Sequence, residues 1–146
     1  MEKAGVKLNI EKFKIELTQN PSSNDLEFLT QGINKAVVNQ GSAYPFAIFI
    51  RNEEKKILAG CNGSIIFGSI YTDQLWVDPN LRNQGIGKRL MEAVHEYGKK
   101  QKCAMATVTT MSFQAPNFYK NLGYKVDFSR EGYNKGSSCI FMSKKL

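Results

Sequence analysis

The run LWVDPNLRNQGIGK, residues 75–88, constrains this chain more than any other feature. An apolar strand ends in Val77-Asp78-Pro79, a turn follows, and Gly85 and Gly87 open what the downstream spacing marks as a helix. The first turn of a helix carries backbone N–H groups with no internal partner and the positive end of the helix dipole, so an anion placed there satisfies both. Glycine lets the anion approach the backbone closely. The run therefore reads as a cradle for phosphate. Two familiar cradles do not fit: a dinucleotide fingerprint needs a third glycine where Leu90 stands, and a P-loop needs Gly-Lys-Ser/Thr where Gly87-Lys88-Arg89 stands. What remains is Arg82-x-x-Gly85-x-Gly87.

The spacing predicts a helix over residues 85–100, with Ile86, Leu90, Val94 and Tyr97 along one stripe and charges between them. His95, the only histidine, is expected to face solvent. A short strand is expected over 104–110, then a short helix within 112–124, with Pro116 in its first turn, Gly123 to end it, and a strand from Tyr124.

Arg82, Gly85 and Gly87 after a strand ending in Val-Asp-Pro resemble motif A of the GNAT superfamily of N-acetyltransferases. Phe118-Tyr119 followed by Gly123-Tyr124 resembles its motif B. The two stand in the family's order with a strand between them, and the specific likeness covers residues 69–128. The resemblance implies an α+β (mixed α/β) fold: a mixed, mostly antiparallel central sheet with helices on both faces. It also implies acetyl-coenzyme A as co-substrate and direct transfer of acetyl to a primary amine of a small molecule or a peptide or protein, without a covalent enzyme intermediate or a metal.

It further implies residue roles. The backbone of Leu75, Trp76 and Val77 pairs with the pantetheine arm, and amides near Val77 polarise the thioester carbonyl as charge develops on its oxygen. Arg82, Asn83, Gln84, Gly85, Ile86, Gly87 and Lys88 form the pyrophosphate cradle. Tyr119 faces the coenzyme thiol as general acid, since a phenol keeps its proton at neutral pH and can yield it to a nascent thiolate. The family often carries an asparagine seven residues before that tyrosine; here the position is Ser112, with Asn117 or Gln114 as substitutes. For the base that takes the proton from the ammonium, Asp73 is the nearest carboxylate on the strand leading to the cradle, with Tyr71, Asp127 and Glu131 as lesser candidates.

Length sets a single domain over 1–146. No stretch approaches the ~20 apolar residues of a membrane span, and the first five residues lack the apolar core of a signal peptide. Cys61, Cys103 and Cys139 match neither a disulfide framework nor a metal site and read as buried small apolar groups. Both features suit a cytoplasmic protein. Residues 71–146 hold twelve basic and six acidic groups, against eight and seven in 1–70, so the excess lies with the cradle. That field suits a polyphosphate coenzyme; nucleic acid would also be drawn to it, but no recognition motif supports that partner. Lys99, Lys100 and Lys102 read as a solvated face.

Upstream, residues 7–17 alternate as a strand with a change of parity. Ser22 or Ser23 caps a helix with Leu26, Leu29, Ile33, Ala36 and Val37 on one side and Gly41 to stop it. Strands are expected over 45–51, 56–66 and 69–77. Trp76, Tyr44, Phe46, Phe67, Tyr71, Phe113 and Tyr133 can serve either an acceptor pocket or the core. In this fold the polar, cationic loop 132–138 borders the acceptor groove, which argues against a polyamine or histone tail. The apolar stretch 139–142 is either a strand inside the sheet or the edge of a homodimer. A coenzyme-binding sensor without turnover is the alternative function.

Overall fold

The computed structural model describes residues 10–146. Three strands in succession, β1 (Ala43–Arg51), β2 (Ile57–Ile66) and β3 (Ser69–Val77), pair antiparallel as a meander. Helix α2 (Ile86–Lys100) crosses to β4 (Met105–Met111), the one parallel neighbour of β3. Helix α3 (Pro116–Asn121), β5 (Lys125–Arg130) and β6 (Cys139–Lys145) complete a sheet of order β1-β2-β3-β4-β6-β5. The expected strands hold to within two residues at each end. β6 lies between β4 and β5, paired on both sides, so its apolar stretch is interior to this sheet and not a dimer edge. Among the described residues no helix is long and apolar enough to cross a membrane.

The upstream region departs from expectation. Residues 7–9 of the anticipated first strand lie outside the described residues, while Ile10–Lys12 is a 3-10 turn and 13–17 is not strand. Helix α1 (Ser23–Ala36) forms where the cap signal places it, with the Ser22 hydroxyl accepting the Asp25 N–H at 3.1 Å. Its apolar stripe is nevertheless exposed: Leu26, Leu29 and Ile33 are half or more accessible. What ties α1 to β1 is polar, the Asn34 side chain accepting from the Ala43 amide at 2.7 Å and donating to the Ala43 carbonyl at 2.8 Å.

The core forms where α2 and α3 pack on the residues of alternate parity, including Ala59, Cys61, Ile65, Ile70, Ala106, Val108 and Met142. Leu90, Met91 and Val94 of α2 are essentially inaccessible. Gly98 lets the helix close on the sheet, since a Cβ there would sit 2.8 Å from Ile70 Cγ2. Cys103 is buried, as expected of a small apolar group, and Cys139 partly so; Cys61 is buried as well.

His95 is buried, not solvent-facing. The buried stripe of α2 is wider than Ile86-Leu90-Val94 and takes in Met91, His95 and Gly98. Its Nε2 lies 2.8 Å from the Tyr124 hydroxyl. Burial, reinforced by Lys144 and Lys99, lowers its pKa from 6.5 to about 4. Well above pH 6.5 His95 is neutral in both the folded and unfolded chain, and its titration leaves stability unchanged. As pH falls from 6.5 toward 4 the unfolded chain takes a proton that the fold refuses, so stability falls. Moving from pH 7 to pH 5 is expected to cost about 2 kcal/mol through this residue. Urea midpoints of the parent and of His95→Gln at the two pH values check this: the variant should lose less.

Candidate active site

The glycine-rich turn opens α2 where the sequence places it. Gly85, in the left-handed region at φ 80°, is the N-cap of α2, with no capping side chain and no acidic residue in the first turn. The first intrahelical bond closes from Arg89 N–H to the Gly85 carbonyl, leaving the amides before it to point outward. Asn83 also takes positive φ, at 60°, so the turn brings successive N–H groups into a nest. Gly87 faces the tip of the Phe118 ring, where a Cβ would come within 3.3 Å. Arg82 Nε donates to the Val77 carbonyl at 3.0 Å, fixing the turn against the end of β3.

These residues line a cleft of about 830 Å³ formed by Leu75, Trp76, Val77, Arg82, Asn83, Gly85, Ile86, Gly87 and Lys88 on one side and Gln114, Ala115 and Phe118 on the other. Gln84 is not among them; its amide donates to the Asn80 carbonyl at 3.4 Å. Ser112 is not among them either. Its hydroxyl accepts from Ser138 N–H at 3.1 Å and its own N–H donates to the Ser138 carbonyl, so it ties the α3 loop to the start of β6. Asn117 is exposed and stands outside the cleft lining, whereas Gln114 reaches it. Of these three polar candidates, only Gln114 is placed in the cleft lining.

The cleft lies beside a split in the sheet. β3 and β4 pair only from Ser69 with Met105 to Thr72 with Val108, and beyond Thr72 they diverge. A register shift between Asn62 and Gly63 adds to the divergence. Gly63 is required there, because a Cβ would overlap the Tyr71 carbonyl.

Tyr119 is buried on α3, with its ring edge-on to Phe118 and Tyr124 at 5.1 and 5.6 Å. Its hydroxyl has no hydrogen-bond partner among the described residues. Burial, with Cys61 and Tyr71 nearby, pushes its pKa up to about 12, so it holds its proton throughout the neutral range. A buried phenol with an unspent donor is poised to give a hydrogen bond or a proton to a bound ligand.

Asp73 sits past the last β3–β4 pair and is exposed. The Tyr71 hydroxyl donates to Asp73 Oδ1 at 3.4 Å and lies 3.1 Å from the Thr109 hydroxyl, spanning the split on the face opposite α2. Tyr71 and Asp73 thus stand together at the split, and Tyr71 is also close enough to act on the Tyr119 hydroxyl. Thr72 was missed in the sequence: it is 3% exposed, and its Oγ1 is buried without a partner at the last paired position. A threonine in a strand carries no signal of this; only the split reveals it. Asp127 lines a groove on the far face, discussed below, and Glu131 is exposed beyond β5. Of the aromatics, Tyr44 and Phe46 pack on the core, while Trp76, Phe67, Phe113 and Tyr133 are exposed. Among the described residues no cluster of His, Cys, Asp and Glu could hold a metal ion.

Known proteins share this arrangement. The family model described as an acetyltransferase (GNAT) domain matches residues 45–126. Blasticidin-S acetyltransferase of Streptomyces morookaense is 29% identical over 102 residues, 69% of this chain and 75% of that protein. An acetyltransferase of Agrobacterium fabrum is 29% identical over 99 residues, 68% of this chain and 72% of its own. The crystal structure of an acetyltransferase from Bacillus cereus matches with a TM-score of 0.70 at 28% identity, covering 90% of this chain and 98% of that one.

Proposed function

Because this chain belongs to the GNAT acetyltransferase family, we propose that it moves an acetyl group from acetyl-coenzyme A directly to a primary amine, within a single domain spanning residues 1–146. The observation that carries this reading is the unpartnered hydroxyl of the buried Tyr119, one position from Phe118 in the lining of the cleft under the glycine-rich turn.

The residues fit the coenzyme. The open amides of residues 85–88, the left-handed turn at Asn83 and Gly85, and the cations Arg82, Lys88 and Arg89 suit a pyrophosphate, and Gly87 leaves the floor clear of a Cβ. The edge of β3 beyond Thr72, unpaired by β4, offers backbone groups at Leu75, Trp76 and Val77 to an amide-bearing arm. Bound there, acetyl-coenzyme A supplies an acyl thioester.

Tyr119 then gives a hydrogen bond, and in the transition state its proton, to the departing sulfur; its raised pKa keeps the phenol protonated throughout the neutral range. Asp73, through its oxygen held by Tyr71 or through water, takes the proton that the attacking ammonium must lose. Thr72 Oγ1 is a further donor at the split. The acceptor we favour is a small-molecule amine. The support is the relative that, by its name, acetylates blasticidin S, together with the open face beside Asp73. We place the reaction in the cytoplasm.

The test is release of free coenzyme thiol from acetyl-coenzyme A by the full chain across a panel of primary amines, with product mass showing one added acetyl group. Thiol release that depends on amine supports the reading. Release at the same rate without amine, or no release with any amine, overturns it.

A further inference from the structure

The face of the sheet opposite α2 and α3 carries a groove of about 570 Å³ running across five strands, lined by Ile66 and Tyr71 at one end, Thr107 and Thr109 in the middle, and Phe128, Arg130 and Phe141 at the other. It meets the candidate active site at Tyr71. Tyr71, its near wall, is the residue that touches Asp73 and Thr109 across the split, and Tyr71 is also among the groups close enough to act on the Tyr119 hydroxyl.

The far end is built around one cation. Phe128 and Phe141 are directly opposed, with ring centroids 5.8 Å apart, and the Arg130 guanidinium lies 5.9 Å from both centroids. The ring faces hold the side chain over the groove. Arg130 makes no ion pair among the described residues, and the planar fork it offers matches a carboxylate. Asp127, at the bulge between Val126 and Phe128, shares the groove but leaves Arg130 unpaired.

Resting on the transferase reading above, we infer that the acceptor is an elongated amine with an apolar middle and a carboxylate at its far end, read by Arg130. Three strand spacings of ~4.8 Å separate β3 from β5, and the Arg130 guanidinium lies over rings of both β5 and β6, so amine and carboxylate stand on the order of 10 Å apart. The amine sits at Asp73 and Tyr71, the middle crosses Thr107 and Thr109 and meets the two phenylalanine rings, and the carboxylate meets the guanidinium. An acceptor with a second cation in place of the carboxylate is excluded by the same charge. This accords with the polar, cationic loop of residues 132–138 that follows β5.

The probes are an aminomethyl-biphenyl carboxylate and its carboxamide, equal in length and differing in charge at the far end. With the parent chain, kcat/KM for the carboxylate should exceed that for the carboxamide by roughly tenfold or more. Arg130→Gln should bring the ratio near one, Arg130→Lys should keep part of it, and Asp127→Asn should raise it. Arg130 is exposed, so these variants are expected to fold. A ratio near one in the parent, or one unmoved by Arg130→Gln, overturns the inference. Calorimetric titration of both probes into the coenzyme A-loaded protein reads the same preference without turnover. If no amine is acetylated yet the carboxylate preference is present and Arg130-dependent, the groove stands and the transferase reading falls; turnover with no preference gives the converse.

Discussion

Tyr119→Phe is expected to lower kcat by about 10²–10⁴-fold, the range that a positioned general acid contributes. Affinity for acetyl-coenzyme A should change less than threefold or so, because Tyr119 is outside the cradle lining and the ring is retained. The fold should survive. The hydroxyl has no partner among the described residues, so its removal orphans nothing, and the ring still meets Phe118 and Tyr124 edge-on. The pH profile sharpens the test. With the Tyr119 pKa raised to about 12, the parent's rate should not fall through loss of this proton anywhere below pH 10. Steady-state kinetics with a saturating amine, alongside coenzyme titration of both proteins, measures each quantity. Equal turnover in the variant would remove Tyr119 from the mechanism. Intact coenzyme binding with no turnover in the parent would make the protein a sensor.

Gly85→Glu is expected to raise the dissociation constant for acetyl-coenzyme A on the order of 10²–10³-fold. Nothing lies within 4 Å of a Cβ built at this position, so the new side chain meets open space in the protein. What it adds is a carboxylate at the helix start where the pyrophosphate is proposed to sit. Two like charges ~4 Å apart near a protein surface cost about 4 kcal/mol. The left-handed backbone at φ 80° costs the glutamate about 1–2 kcal/mol of stability, partly offset by a negative charge at the positive end of α2. Calorimetry against coenzyme A, with thermal denaturation of the unliganded variant, separates lost binding from lost fold. Undiminished affinity would mean that the phosphates are held elsewhere.

The sequence carried the site unevenly, for physical reasons. The cradle was legible because its chemistry is backbone chemistry: positive φ and open amides demand glycine, and Gly85 and Gly87 announce them. The short helix that carries Tyr119 was legible because Pro116 suits its first turn and Gly123 its end. The side chains of Ser112 and Gln84 were harder to read, because a hydroxyl or an amide near a site looks the same in sequence whether it meets a ligand or its own chain. Here Ser112 meets Ser138 and Gln84 meets Asn80. Burial of His95 was missed for a related reason. A polar side chain on an amphipathic helix defaults to the wet side, and only the Tyr124 hydroxyl, 29 residues away in the chain, makes its burial tolerable. Thr72 and Arg130 depend on strand pairing that no local pattern encodes: one marks the last pair before the split, the other lies over two rings brought together by β5 and β6.

The most direct test of the account is calorimetric titration of the full chain with acetyl-coenzyme A, with NAD and ATP as polyphosphate controls. The account predicts saturable one-to-one binding of acetyl-coenzyme A, abolished by Gly85→Glu, and no comparable heat from NAD or ATP. No binding of acetyl-coenzyme A by the parent chain, or equal binding of all three, would contradict it.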